Sequence, residues 1–490
     1  MTILQGDRLV DEGGFPARFL PLFHLLCSAC FVLIGQMALM PKLQAANLFE
    51  LSLPAAVDIA LSSNRSLVAS KMSLEGDKYL IDAARVEFEP KIGPAVSVGR
   101  VGDSTLFPGG GVNNSYGIMV RKRFETGTSL YGGPSYNRAA GTSNTTMNLA
   151  VTQPLLKGAG AEFNLDGVHR AEFSVAAAKL KFDQARTQIV LETIVMFYEV
   201  DKQKQIVELY RALSEELNRH VVITRSKEKA GLAGSMDAYR AEISQKDAQE
   251  ALSQAESVYL VSRGKLKYLL SVDQDTDIEL IRATLPVSKM IDAEADAEGA
   301  NFEILQAQAD LEEAERIMRV ADDGTRPELN LQLSYGQGNR SDPFVAQYVP
   351  TTYKTWNVSL QSSTDLFRSA EKSSYKRSIM MVEVARVNLQ QKKDEVRRQA
   401  RQQMSYIAAC KERAGLREAQ IKQAEGKLAL AEVKFRNGMA DNFTIIETQT
   451  ELQNARVGLL NEEAEYALSI YRLAAISGHL LDGYFAAKDE

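Results

Sequence analysis

Three cysteines in 490 residues leave little to pair. Cys27 and Cys30 share one apolar N-terminal segment, and Cys410 stands alone in a Gly/Pro-poor tract, so neither a disulfide framework nor a thiolate metal site is implied. Histidine is equally sparse. His24, His169, His220 and His479 are scattered, without the spacing a zinc site needs. No metal or other cofactor is expected. The net charge of −6 supplies no basic footprint, which argues against nucleic acid as a partner. A Walker-type Gly-Lys-Ser/Thr and a nucleophile elbow are both missing, and no catalytic residue is assigned. Gly158-Ala159-Gly160 looks like the start of a dinucleotide fingerprint, but Phe163 stands where its third glycine belongs and no βαβ unit follows.

Proline is also rare, at 13 residues, and 24% of the chain is charged. That balance, rich in Ala, Gln, Glu, Lys and Leu, favours long helices. Residues 168–230 contain neither Gly nor Pro; wholly helical, they would reach about 95 Å. Val175, Phe182, Ile189 and Met196 recur every seventh residue, as do Ile445, Leu452, Leu459, Tyr466 and Leu473. Such spacing marks a narrow helix-on-helix seam of coiled-coil type.

The chain is duplicated. One helical tract closes on Lys229-Ala230-Gly231-Leu232 and restarts at Ser235-Met236-Asp237. Another closes on Arg436-Asn437-Gly438-Met439 and restarts near Asp441, at an offset of 207 (438 − 231). Asn64 to Pro90 matches Asn301 to Pro327 at an offset of 237 (327 − 90). Between these markers lie period-two stretches with one apolar face, the pattern of strands. Tyr116, Ile118 and Val120 alternate with Gly117, Met119 and Arg121, and Met147, Leu149 and Val151 with Asn148, Ala150 and Thr152. Leu329, Leu331, Leu333 and Tyr335 repeat the pattern, then Trp356, Val358 and Leu360.

These markers divide the chain into a signal peptide at 1–46, a first repeat at 47–271 with strands in 91–153 and a turn near 231, and a linker at 272–300. A second repeat at 301–478 has strands in 327–362 and a turn near 438, and a tail occupies 479–490. Residues 19–41 are uncharged and mostly apolar, and small residues follow at Ala45-Ala46, as a cleaved signal requires. A membrane anchor is the alternative, and a lipoprotein is excluded because Cys27 occupies the position three before Cys30.

The offsets differ by 30 residues (237 − 207), all inside the strand region of the first repeat. Two further strands fill that length, at about 115–124 and 128–138, joined at a turn in which Gly127 supplies a positive φ. The sequence thus predicts four strands from the first repeat and two from the second. A surface loop of the same length is the competing reading, and Arg121-Lys122-Arg123 would sit poorly against lipid. One chain has too few strands to close a pore, since the smallest bacterial barrels use about eight, so the barrel would have to be shared between copies. Tyr116, Phe124, Tyr131, Tyr136, Tyr335, Tyr348, Tyr353 and Trp356 suit interfacial girdles, though aromatics suit any β core.

Three segments in order, Leu51-Ser52-Leu53-Pro54-Ala55-Ala56-Val57-Asp58-Ile59-Ala60-Leu61 with Asn64, Val151-Thr152-Gln153-Pro154-Leu155-Leu156-Lys157-Gly158-Ala159-Gly160, and the paired turns at Gly231-Leu232 and Gly438-Met439, resemble the TolC-like outer-membrane efflux and secretion channels. The resemblance spans about residues 48–478. It implies a mixed membrane α/β fold: a trimeric β-barrel in the outer membrane, continued by a long periplasmic α-helical barrel. It also implies a passive exit duct of a tripartite efflux pump or type I secretion system. The partners implied are two further copies, outer-membrane lipid, a periplasmic adaptor and, through it, an inner-membrane pump. Twelve strands are usual in such trimers; the extra pair, if all strands enter the wall, would make about eighteen. The resemblance makes Gly231, Leu232, Gly438 and Met439 adaptor-contacting tip turns, where the bland reading is a glycine C-cap. It makes Asp237 and Glu447 acidic gate residues at the pore mouth, where the bland reading is a solvated or dipole-favoured acid. Phe435 and Ala440 depart from a Tyr and an Arg that help lock the gate in the family. The competing function is an exported coiled-coil structural or adaptor protein without a channel of its own.

Overall fold

The computed structural model describes residues 49–101, 111–139, 142–282, 299–341, 351–437 and 439–481. The expected signal peptide, Tyr348, Gly438 and most of the linker and tail lie outside them. The chain divides into two compact units. The smaller comprises Met1–Phe49 and Asp275–Glu279, and so includes Phe49 of the short strand β1 (Phe49–Leu51) and Ile278 and Glu279 of the short strand β6 (Ile278–Leu280). The larger unit, Glu50–Gln274 with Leu280–Glu490, holds every long helix and the main sheet.

Ser52 caps α1 (Leu53–Ser63), and Pro54 sits in its first turn, where a missing N–H costs nothing. Asn64 ends α1 and caps α2 (Arg65–Arg85), its Oδ1 accepting from the Ser66 and Leu67 amides. A 3-10 turn at Val86–Phe88 leads past Pro90 into the strands. The expected four strands are present: β2 (Lys91–Val101), β3 (Gly111–Arg123), β4 (Ser129–Ala139) and β5 (Thr142–Pro154). A single turn, α3 (Ala161–Asn164), precedes α4 (Asp166–Lys229) and its partner α5 (Ser235–Leu269). Among the described residues the second copy repeats the plan with α6 (Phe302–Gly324), two strands, β7 (Asn330–Ser341) and β8 (Thr351–Gln361), then α7 (Ser369–Arg436) and α8 (Asn442–Ile476). At 64 and 68 residues, α4 and α7 each run to about 100 Å.

The helical core forms where α4 and α8 meet α1. Val57, Val190, Ile194, Tyr198, Ala467 and Leu468 form one buried cluster. The seven-residue seam is only partly sunk: Ile189, Ile445 and Leu452 are buried, while Val175, Phe182, Met196 and Leu459 are half-buried. No helix among the described residues is long and apolar enough to cross a membrane.

Six strands form one antiparallel sheet in the order β2-β3-β4-β5-β7-β8. The extra hairpin β3–β4 is ordered and sits inside the sheet, so the surface-loop alternative is excluded. β2 and β8, eleven residues each, are the two edges and run in opposite directions.

Candidate pore wall and helical tip

In an antiparallel pair, residues directly opposite point to the same face, so the register assigns every strand residue to one of two sides. One side collects Ile92, Val96 and Val98 on β2 with Tyr116, Ile118 and Val120 on β3. It continues through Leu130, Pro134 and Tyr136 on β4 to Met147, Leu149 and Val151 on β5. Leu331, Leu333 and Tyr335 on β7 and Trp356, Val358 and Leu360 on β8 complete it. Among the described residues no helix covers this face: Trp356 is 78% exposed, and Ile92, Val96, Ile118, Met147 and Leu360 are exposed too. The other side is mostly small or polar, including Gly93, Ser97, Ser115, Asn148, Ser334 and Asn357, with Met119, Tyr131 and Tyr353 among its larger members.

The apolar band is oblique to the hydrogen-bonded rows. Val358, at its centre on β8, is level with Leu333, Val151, Leu130 and Lys122. On β2 the centre lies about five residues beyond that row, or roughly 17 Å along the strand over five inter-strand steps of about 4.8 Å. A level band therefore requires strands tilted by about 35°, within the range of membrane barrels.

Tyr116 pairs with Tyr136, and Tyr335 with Trp356, on the apolar side. Tyr131 and Tyr353 face the polar side, and Phe124 lies in the β3–β4 turn. The basic triplet is also divided. Arg121 and Arg123 face the polar side; Lys122 lies on the apolar side, at the strand end nearest the helices. There Lys122 Nζ donates to the Phe88 carbonyl and sits 5.6 Å from the Phe124 ring centre. Arg123 pairs with Glu87 and donates to Asn164 Oδ1 at 2.8 Å.

That end of the hairpin is locked to the helices. Gly127 has φ +89°, and a Cβ there would collide with the Gly158 carbonyl and the Asn164 amide. Asn164 Nδ2 donates to the Gly158 and Gly160 carbonyls at 2.8 Å, and the Gly160 amide donates to Thr126 O at 3.2 Å. Asp323 of α6 accepts from the Gly158 amide at 2.8 Å. The Gly-Ala-Gly segment is thus a structural junction.

At the far end of α4, Gly231 (φ +71°) ends the helix in a Schellman motif: its amide donates to Glu228 O, and that of Leu232 to Lys227 O. Met439 donates to Lys434 O at the same 2.8 Å, one copy later. Gly438 is outside the described residues. Leu232 and Met439 are 78% and 71% exposed, and Met236, Tyr239 and Phe443 beside them are also exposed.

Asp237 is half-buried in the first turn of α5, where its carboxylate accepts from the Gly234 amide at 3.3 Å. Glu447 is exposed in the second turn of α8. The two helix starts are joined by a group that sequence reasoning missed. Asn442, the residue after the Asp441 cap, donates through Nδ2 to the Asp237 carbonyl at 2.9 Å and accepts from buried His220 Nε2 with its Oδ1. The His220 ring lies 5.3 Å from that of Phe435, and Lys227 Nζ sits 3.7 Å from the Phe435 ring centre while donating to its carbonyl. Four helices meet at this cluster, and Phe435 takes part through its ring face, which needs no hydroxyl. Burial holds the His220 pKa below its ordinary value; the Asn442 bond opposes this and the Lys227 charge adds to it. No spacing rule links His220 to Asn442, so only the fold reveals the pair. Among the described residues, no group of three or more His, Cys, Asp or Glu side chains is arranged to hold a metal ion.

The sequence profile of the outer membrane efflux protein family matches residues 56–271 and 295–479. No curated protein matches the chain. Among solved structures, the outer membrane protein VceC from Vibrio cholerae is 16% identical, with a TM-score of 0.67 over 87% of this chain and 96% of that one. The CmeC outer membrane channel of Campylobacter jejuni is 16% identical, with a TM-score of 0.64 over 87% of this chain and 86% of that one. The open state of the MtrE outer membrane channel from Neisseria gonorrhoeae is 14% identical, with a TM-score of 0.63 over 87% of this chain and 89% of that one. At these identities the likeness is one of fold.

Proposed function

The chain belongs to the outer membrane efflux protein family, and on that premise we propose that it is the exit duct of a tripartite efflux pump or type I secretion system, a homotrimer that sits in the outer membrane and reaches into the periplasm. Members of the family are passive channels, not enzymes.

One observation carries this reading: a six-stranded sheet whose apolar face is uncovered, and whose two edges, opposite in direction, are unpaired, among the described residues. An apolar face of this extent requires lipid or a partner, and free edges in lipid leave backbone groups unsatisfied. A rotation about a threefold axis lays β8 of one copy against β2 of the next in antiparallel sense and removes every edge. Because β3 and β4 carry the same outward band as their neighbours, the wall has eighteen strands. At a tilt of about 40° and a spacing of about 4.8 Å, that is a backbone diameter of roughly 36 Å, against roughly 24 Å for twelve strands.

In this reading the polar side lines the conduit. The turns at Gly231-Leu232 and Gly438-Met439, with their exposed apolar neighbours, form the surface on which an adaptor's helices pack. Asp237 and Glu447 each become a ring of three acids at the mouth, favouring cations. The test is fractionation with mass measurement in detergent. A trimer in the outer-membrane fraction is expected; a monodisperse monomer, soluble without detergent, would refute the duct.

A further inference from the structure

The six strands hold eight Lys or Arg residues and no Asp or Glu. Three of these bases share one position. Followed away from the helices, the outward-facing residue after Val98 on β2 is Arg100. After Tyr136 on β4 it is Arg138, and after Trp356 on β8 it is Lys354. On β3, β5 and β7 the equivalent residues are Asn114, Thr145 and Gln337, which are neutral hydrogen-bonding groups. A line of cations and neutral hydrogen-bonding groups therefore follows the far border of the apolar band.

The two borders are treated differently. Lys122, at the border nearest the helices, is satisfied by the Phe88 carbonyl and the Phe124 ring. Arg100, Arg138 and Lys354 are exposed, and their side chains have no hydrogen-bond or ion-pair partner among the described residues. Long basic side chains at the edge of an apolar surface extend their charges to the level of lipid headgroups. Closing the wall adds a second feature. Lys354 is on the β8 edge and Arg100 on the β2 edge, so each joint between copies brings two like charges to one height. Like charges in adjacent strands repel unless an anion lies between them.

We propose that this border is a binding belt for the phosphate groups of an anionic outer-leaflet lipid, with its tightest position at each joint, between Lys354 and Arg100 of the partner subunit. The belt rests on the trimeric outer-membrane reading above and supplies it with a lipid partner. Its chemistry is that of several cations converging on phosphate oxygens while the acyl chains cover the apolar band.

The test uses the full-length trimer in neutral detergent, titrated separately with a diphosphorylated lipid A, with the same lipid stripped of phosphate, and with inorganic phosphate. Bound lipid is counted by native mass spectrometry, and trimer dissociation on heating is followed by gel. The phosphorylated lipid should bind and raise the dissociation temperature, whereas neither comparison compound should. Replacing all three bases (R100Q, R138Q and K354Q together) should weaken that binding about a hundredfold while trimers persist in lipid-free detergent. R121Q, on the polar side, should leave it unchanged. An unaltered lipid response in the triple variant overturns the belt and leaves the duct standing. An equal response to inorganic phosphate shows a free-anion site and also overturns it. Failure of the wild-type chain to form trimers overturns duct and belt together.

Discussion

Asn64 and Asn301 make the same pair of connections, one in each half of the chain. Each caps a helix with its Oδ1 and donates through Nδ2, at 2.8 Å, to the carbonyl ending a long helix: Leu269 for Asn64, Ile476 for Asn301. The donors are 237 residues apart and the acceptors 207, so the 30-residue insertion is visible in these two hydrogen bonds alone. Replacing either Asn by Ala is expected to destabilise the fold by about 1.5–5 kcal/mol, the sum of a lost cap and an orphaned carbonyl. Asn→Ser keeps a capping oxygen and loses the Nδ2 donor without adding charge, so its loss should be smaller. The ordering Asn, Ser, Ala in heat-dissociation temperature checks both roles.

The pH response follows from His220. Its pKa is depressed chiefly by burial, so the folded tip favours the neutral ring. That stability is fully present above the ordinary His value of 6.5 and is lost as pH falls through the lower folded value. Lys227 lies on the same helix and adds to the depression, while Glu216 opposes it. Hydrogen-exchange protection at the starts of α5 and α8, measured against the intrinsic exchange rate at each pH, should therefore fall below about pH 6.5. In His220→Gln this loss of protection should disappear. An identical acid response in that variant would show that another group sets it.

Gly231→Trp places a side chain where φ is +71° but no atom lies within 4 Å of a new Cβ. The cost is backbone strain of about 1–2 kcal/mol, too little to unfold the helices. Trimers should form, while transport fails and cross-linking to the adaptor is lost. Full transport would mean that the adaptor docks elsewhere.

For the gate, charge must be separated from capping, because the Asp237 carboxylate also holds the Gly234 amide. Asp237→Asn with Glu447→Gln keeps an acceptor at each position and removes the charge. Single-channel recordings should show reduced cation preference and weaker block by multivalent cations. Unchanged selectivity would return both residues to solvated helix faces.

Much of this fold was legible because its signals are periodic. The alternation at Met147, Leu149 and Val151 marks a strand wherever it occurs, and the two offsets located the additional pair before any register was known. Gly127 was legible for the same local reason, since its turn needs a positive φ. The fate of Arg121-Lys122-Arg123 was not. Its fit depends on Glu87, Phe88 and Asn164, between 34 and 41 residues distant. The His220–Asn442 contact spans 222 residues between helices whose phase no single-sequence pattern fixes. Sequence periodicity gives faces, whereas pairing between faces is a property of the assembled chain.

A closed wall of three six-stranded sheets is tested most directly by a cryo-electron microscopy reconstruction of the detergent-solubilised protein. Eighteen strands are expected in the barrel, with β8 of each copy hydrogen-bonded to β2 of the next and residues 111–139 inside the wall. A barrel closed by twelve strands, with 111–139 folded away from it, would contradict that wall.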